Sequence, residues 1–203
     1  CLVGSEMCIR DSSKAALAQF GNCTASEMRT YVDSATGNTI TMLTDTMKND
    51  RFLYQTDPMW TADGKYLLFR SSSRGNDKEV ESTLPNGEKR KWTPTQIYFI
   101  EMATGKIIQA TEGPNLGSAF LANKTNRMFV SRKEKENWNM YVMDLNKFFA
   151  DVKQGKVGKP SAYETFIGTF PTEMGRPGGY AVDCNDDYAY ITVCLLYTSP
   201  SPR

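Results

Sequence analysis

Arginine is the residue type around which chemistry could be built in this 203-residue chain. Arg51, Arg70, Arg74, Arg132 and Arg176 fall in or beside the long polar segments, in company with Tyr54, Gln55, Asp57, Asn137 and Trp138. A guanidinium fork grips a carboxylate or sulfate through two parallel hydrogen bonds. A neighbouring Tyr or Trp ring offers a flat apolar face on which a sugar can stack. Arg51, Tyr54, Gln55, Asp57, Arg70, Arg132 and Arg176 therefore form the candidate binding set for an anionic ligand. Each feature also has a plainer reading: Arg70 capping a strand in an ion pair, Asp57 opening a turn before Pro58, and Trp60 and Trp138 as core. The mixed-charge runs Asp77-Lys78-Glu79-Val80-Glu81 and Glu88-Lys89-Arg90-Lys91 read as solvated loop. The chain contains no histidine, the commonest general base and metal ligand. It also has no Gly-x-Ser-x-Gly elbow, phosphate-binding glycine loop or Asp-x-Asp calcium loop. No complete catalytic or metal centre is expected within it.

The elements that must hold these residues are strands. Residues 56–113 carry the pattern: Pro58-Met59-Trp60, a turn at Thr61-Ala62-Asp63-Gly64-Lys65, the apolar run Tyr66-Leu67-Leu68-Phe69, then residues 96–102, a Thr104-Gly105 turn and residues 106–111. An Asp-Gly pair between two β-rich runs is a strong hairpin signal, because glycine takes the positive φ of a tight turn. Two hairpins joined by a long loop make four antiparallel strands, one blade of a β-propeller. Trp60, Phe120 and Tyr180 stand 60 residues apart and open similar passages, and residues 98–102 resemble residues 141–145. Self-similarity at a fixed period marks an array in which each unit buries its faces against its neighbours. Residues 28–45 read as the last hairpin of a preceding blade, residues 148–152 as a short helical turn, and residues 163–168 as an outer strand. The fold class is thus all-β, a propeller fragment of three to four blades. The tight turns gather on one face. The long segments 46–56, 72–95, 112–118, 132–137 and 169–179 gather on the other, where binding residues concentrate.

The two ends break this pattern. Residues 1–12 and 194–203 resemble translated sequencing adapter and are set apart from fold reasoning, leaving residues 13–193 as the propeller part. Setting aside Arg10, Arg203, Glu6 and Asp11 leaves 22 basic and 21 acidic residues, so the net charge stays at +1. That balance carries no signature of nucleic-acid binding, and no apolar run is long enough to span a membrane. Cys23 and Cys184, the cysteines outside the two ends, make neither a disulfide framework nor a zinc motif. Ala15-Ala16-Leu17-Ala18 before Gln19 has the form of a signal-peptide tail, which tilts the expected location towards periplasmic or secreted.

These residues resemble the oligogalacturonate lyase family, seven-bladed propellers related to TolB-type repeats. The resemblance is carried by residues 30–37 (Thr-Tyr-Val-Asp-Ser-Ala-Thr-Gly), Met42-Leu43-Thr44-Asp45, Tyr54-Gln55, the stretch from Trp60 to Phe69, and Gln109-Ala110-Thr111-Glu112-Gly113. It implies an N-terminal fragment of a protein that cleaves uronic-acid oligosaccharides by β-elimination, with an acidic oligosaccharide as partner. It also implies a divalent, manganese-type metal in the full-length protein, held with the catalytic base by later blades and not by this fragment. Where relatives carry histidine before the Trp strand, this chain has Asn49 and Asp57. Arg51, Tyr54 and Gln55 are left as the matching loop residues, in the role of substrate contacts. The alternative is a non-catalytic TolB-like propeller that binds a protein or glycan.

Overall fold

The computed structural model describes residues 20–75, 78–83, 86–171 and 177–193. Strand β1 (Cys23–Thr24) is followed by the hairpin β2 (Arg29–Val32) and β3 (Thr39–Met42), then β4 (Asp50–Arg51), β5 (Tyr66–Ser71), β6 (Val80–Thr83), β7 (Lys89–Trp92), β8 (Gln96–Glu101) and β9 (Ile107–Gln109). The first blade is an antiparallel sheet in the order β4-β5-β8-β9-β1. Its innermost strand is interrupted: β4 pairs with the far end of β5, while Trp60 bridges to Leu67 at the near end. The two turns expected from sequence are present, with Gly64 at φ 68° and Gly105 at φ 71°. β1, which no pattern announced, adds a fifth strand at the outer edge through Cys23 opposite Ile108.

The second blade comprises β10 (Leu116–Leu121), β11 (Arg127–Glu134), β12 (Asn137–Asp144) and β13 (Glu164–Pro171) in that order. A third inner hairpin follows, β14 (Pro177–Val182) with β15 (Ala189–Val193). Between β12 and β13 lies helix α1 (Leu145–Gln154), longer than the single turn expected. Its first turn is capped by Asp144, whose side chain accepts the N–H of Lys147, and it ends on Gly155 at φ 65°, the left-handed position that glycine tolerates. Tyr66 lies opposite Glu101 and Arg127 opposite Asp144, so Glu101 and Asp144 are equivalent positions. The first blade turns tightly there, and the second inserts a helix.

The period of the repeat is 61 residues, not the 60 suggested by the aromatic spacing. Thr61, Ala122 and Asp183 each donate a backbone N–H to the carbonyl of the residue five further on, Tyr66, Arg127 and Tyr188, at 3.0 Å in all three cases. The equivalents of Trp60 are therefore Leu121 and Val182, since Trp60 pairs with Leu67, Leu121 with Met128, and Val182 with Ala189. A one-residue slip in a strand moves a side chain to the opposite face. That corrects the reading of Trp60 as core. Leu121 faces the first blade and is 1% exposed, whereas Trp60 remains 48% exposed.

The main core fills the space between the two blades. Tyr66, Leu68 and Phe99 of the first meet Leu121, Met128 and Val130 of the second, with Phe148 and Phe149 of α1 wedged among them. The Phe149 ring stacks on Tyr66 at 3.7 Å and sets its edge to Phe99 at 5.1 Å. A smaller cluster on the far side of the second blade stacks Phe120 between Phe129 and Tyr180, at 4.9 and 5.0 Å. The β2–β3 hairpin packs Leu43 onto the opposite face of the first blade, against the cluster of Phe69, Tyr98, Ile100 and Ile107. Among the described residues no helix is long and apolar enough to cross a membrane.

Candidate functional site

A cleft of about 1210 Å³ opens beside the inner strands of the first two blades and the third hairpin. Its walls come from the long segments, not the tight turns. Arg51 ends β4, Tyr54 and Asp57 stand on the chain between β4 and β5, Arg70 near the end of β5, and residues 116–120 and 179–181 on β10 and β14. β10 and β14 edge their sheets, so the cleft occupies the side on which the blades present their innermost strands.

Arg51 and Arg70 are cross-strand partners in the β4–β5 pair. Residues directly opposite in an antiparallel pair project to one face at short range, and like charges so placed repel. Neither guanidinium has an ion-pair partner among the described residues, although Arg51 Nε donates to Asn49 Oδ1 at 3.2 Å. Arg90 and Lys91 add two further cations to the lining, against the single carboxylate of Asp57. An arrangement of four cations and one anion around an open cleft attracts anionic ligands, because the low-dielectric walls focus the field. Tyr54, Trp92, Tyr180 and Tyr190 supply ring faces to the same lining.

Both charged runs expected as loop run into strands of one hairpin, Val80 and Glu81 in β6 and residues 89–91 in β7. Residues 89–92 pair with residues 83–80, the turn between them including Gly87 at φ 84°. The signal that could have found it is Asn86-Gly87, a hairpin dipeptide, obscured because only Val80 and Trp92 at its far end are large and apolar.

The other expected site residues are placed differently. Arg132 is held by Glu164, whose carboxylate accepts from both guanidinium nitrogens, and its cation lies 5.7 Å from the Tyr141 ring centre. It is outside the cleft lining and tied up structurally. Gln55 is exposed and absent from the lining. Arg176 falls outside the described residues. Arg74 joins Glu27 and Asp50 in a buried cluster, donating to Glu27 at 2.9 and 2.6 Å and to Asp50 at 2.8 and 2.6 Å. Burial alone would make it less basic, but the two carboxylates raise its pKa well above the ordinary value. Trp138 is half-buried beside the backbone of Gly117.

No family model matches the chain, and no curated protein does. Among solved structures, the chain is similar to an oligogalacturonate lyase from Vibrio parahaemolyticus, at 21% identity and a TM-score of 0.55 over 82% of this chain. It is also similar to an oligogalacturonate lyase in complex with manganese, at 20% identity and a TM-score of 0.56 over 83% of this chain. The chain spans 35% and 36% of those two chains, about a third of their length. At this identity the likeness establishes the fold, a part of a β-propeller. Among the described residues no three His, Cys, Asp or Glu side chains converge so as to hold a metal ion. The manganese of the second structure therefore has no fitting donor set among the described residues.

Proposed function

We propose that this chain forms the anion-recognition wall of a propeller protein that cleaves uronic-acid oligosaccharides by β-elimination. The observation that carries the reading is the Arg51–Arg70 pair, two like charges side by side on the wall of a cleft. A carboxylate seated between them would relieve their repulsion and accept charge-assisted hydrogen bonds from both. The same contact lowers the barrier to elimination. Proton loss from C5 places negative charge on the carboxylate as an enolate, and cations already aimed there stabilise it without reorganisation. A general base takes the C5 proton, the C4–O bond then breaks with its electron pair going to the departing oxygen, and that oxygen takes a proton, leaving a C4–C5 double bond on one product and a hydroxyl on the other. Similarity in fold to oligogalacturonate lyases supports the substrate class.

The test is incubation of the full-length protein with oligogalacturonate, with and without added manganese, reading the ultraviolet absorbance of the unsaturated product. Formation of that product supports the reading. Its absence with every uronate tried would sink the catalytic part. A binding-only propeller is the second reading, favoured by the chain having no histidine to offer as a base. It predicts retention of acidic oligosaccharide without product.

A further inference from the structure

The β6–β7 hairpin is a separate two-stranded sheet that borders the cleft through Ser82, Arg90, Lys91 and Trp92. Its register sets Val80 opposite Trp92 and Ser82 opposite Arg90. Side chains alternate along a strand, so these four share a face. Val80 and Ser82 are accordingly half-buried, while Glu81 and Thr83 are exposed. Ser82, Arg90 and Trp92 line the cleft. On the reverse face Lys89 pairs with Glu81 at 2.8 Å, which leaves Arg90 with no ion-pair partner among the described residues. The hairpin thus carries a free cation, an indole and a hydroxyl on a wall distinct from the Arg51–Arg70 pair. The cleft's volume of about 1210 Å³ also exceeds the ~300–1,000 Å³ of ordinary single-ligand sites.

Resting on the function proposed above, we infer that this hairpin is a second subsite, which reads the neighbouring uronate of the same oligosaccharide. Arg90 takes that sugar's carboxylate and Trp92 stacks on its ring. A single uronate engages the Arg51–Arg70 wall alone. A longer chain engages both walls, and the second contact gains from the effective concentration set by the first.

The experiment is calorimetric titration of the full-length protein with galacturonate monomer and trimer, for wild type, Arg90→Gln, Arg90→Lys, Trp92→Ala and the reverse-face control Lys89→Gln. Loss of a charged hydrogen bond should weaken trimer binding by about tenfold in Arg90→Gln and leave the monomer unchanged. Trp92→Ala should act in the same direction, Arg90→Lys should restore part of the loss, and Lys89→Gln should bind as wild type. An equal loss for monomer and trimer, or no loss for either, overturns the hairpin's role while leaving the Arg51–Arg70 reading intact. Wild type that binds no uronate of either length overturns both.

Discussion

Asp186 Oδ1 accepts the backbone N–H of Asn123 at 2.7 Å, joining the turn of the third hairpin to the turn of the second blade. Its Oδ2 accepts the N–H groups of Lys124 and Thr125 and the Thr125 hydroxyl, each at 2.8 Å, and Arg127 donates to its carbonyl at 3.1 Å. One carboxylate from a neighbouring blade thus satisfies three consecutive backbone donors that no ladder pairs. At the preceding junction Asn126 Oδ1 accepts the N–H of Asp63 at 3.2 Å. The turns are fastened to each other by side-chain acceptors, while the strands behind them pack through apolar contacts.

Asp186→Asn should therefore loosen this junction. Asparagine keeps the shape and tolerates the φ of 65°, but it removes the charge and one acceptor, a loss of about 2 kcal/mol for hydrogen bonds to an ionised group. Urea unfolding measures it, with the exposed Asp187→Asn as control. Equal midpoints for the two variants would refute the role.

Acid should weaken the same fastenings. Burial works to raise the Asp63 pKa, but hydrogen bonds from Thr61, Lys65 and Asn126 outweigh it and hold the group at about 2, below its ordinary 3.8. Burial likewise opposes, and the donors of residues 123–125 lower, the pKa of Asp186. A carboxylate depressed in the folded state contributes stability that is present above its unfolded value and lost as pH falls through the folded one. The urea midpoint should hold steady down to about pH 5 and drop between roughly pH 4 and 2. Asp63→Asn should flatten part of that drop; an unchanged slope would remove Asp63 from the account.

The arginines should separate into two kinds. Arg51→Gln and Arg70→Gln should each weaken acidic-oligosaccharide binding by about tenfold. Stability should hold or rise by a few tenths of a kcal/mol as the like-charge pair is relieved. Arg132→Gln should do the reverse, leaving Glu164, 5% exposed at its side chain, buried without its cation at about 3 kcal/mol or more, with binding untouched. Titration beside thermal unfolding reads both, and a binding loss in Arg132→Gln without destabilisation would contradict the assignment.

Gly117 is expected to resist substitution. A Cβ there would stand 2.5 Å from Ser131 Oγ and 2.6 Å from a Trp138 ring carbon, and Ser131 Oγ already accepts the N–H of Ser118 at 2.9 Å. Gly117→Ala should cost about 1–3 kcal/mol through displaced neighbours. A melting temperature equal to wild type would show that the ring moves freely.

The blade architecture was legible in the residues because it is a local property. Asp63-Gly64 and Thr104-Gly105 dictate tight turns through glycine's positive φ, and the apolar runs beside them pair as antiparallel strands. The equivalence of residues 98–102 with 141–145 survives in the structure, since both are third strands fixed by their turns. The sequence also named Arg51, Tyr54, Asp57 and Arg70, which line one cleft in the structure.

Tertiary structure alone decided the rest. Whether Trp60 or Met59 matches Phe120 depends on a single residue of register, and aromatic spacing cannot report it; the hydrogen bonds of Thr61, Ala122 and Asp183 do. Whether an arginine is available depends on what lies across space. Arg132 meets Glu164, 32 residues away, and Arg74 meets Glu27, 47 residues away, while Arg51 and Arg70 meet each other. Composition sets how many cations the chain carries. Only the folded chain, by bringing distant carboxylates to some and withholding them from others, determines which cations are left to bind a ligand.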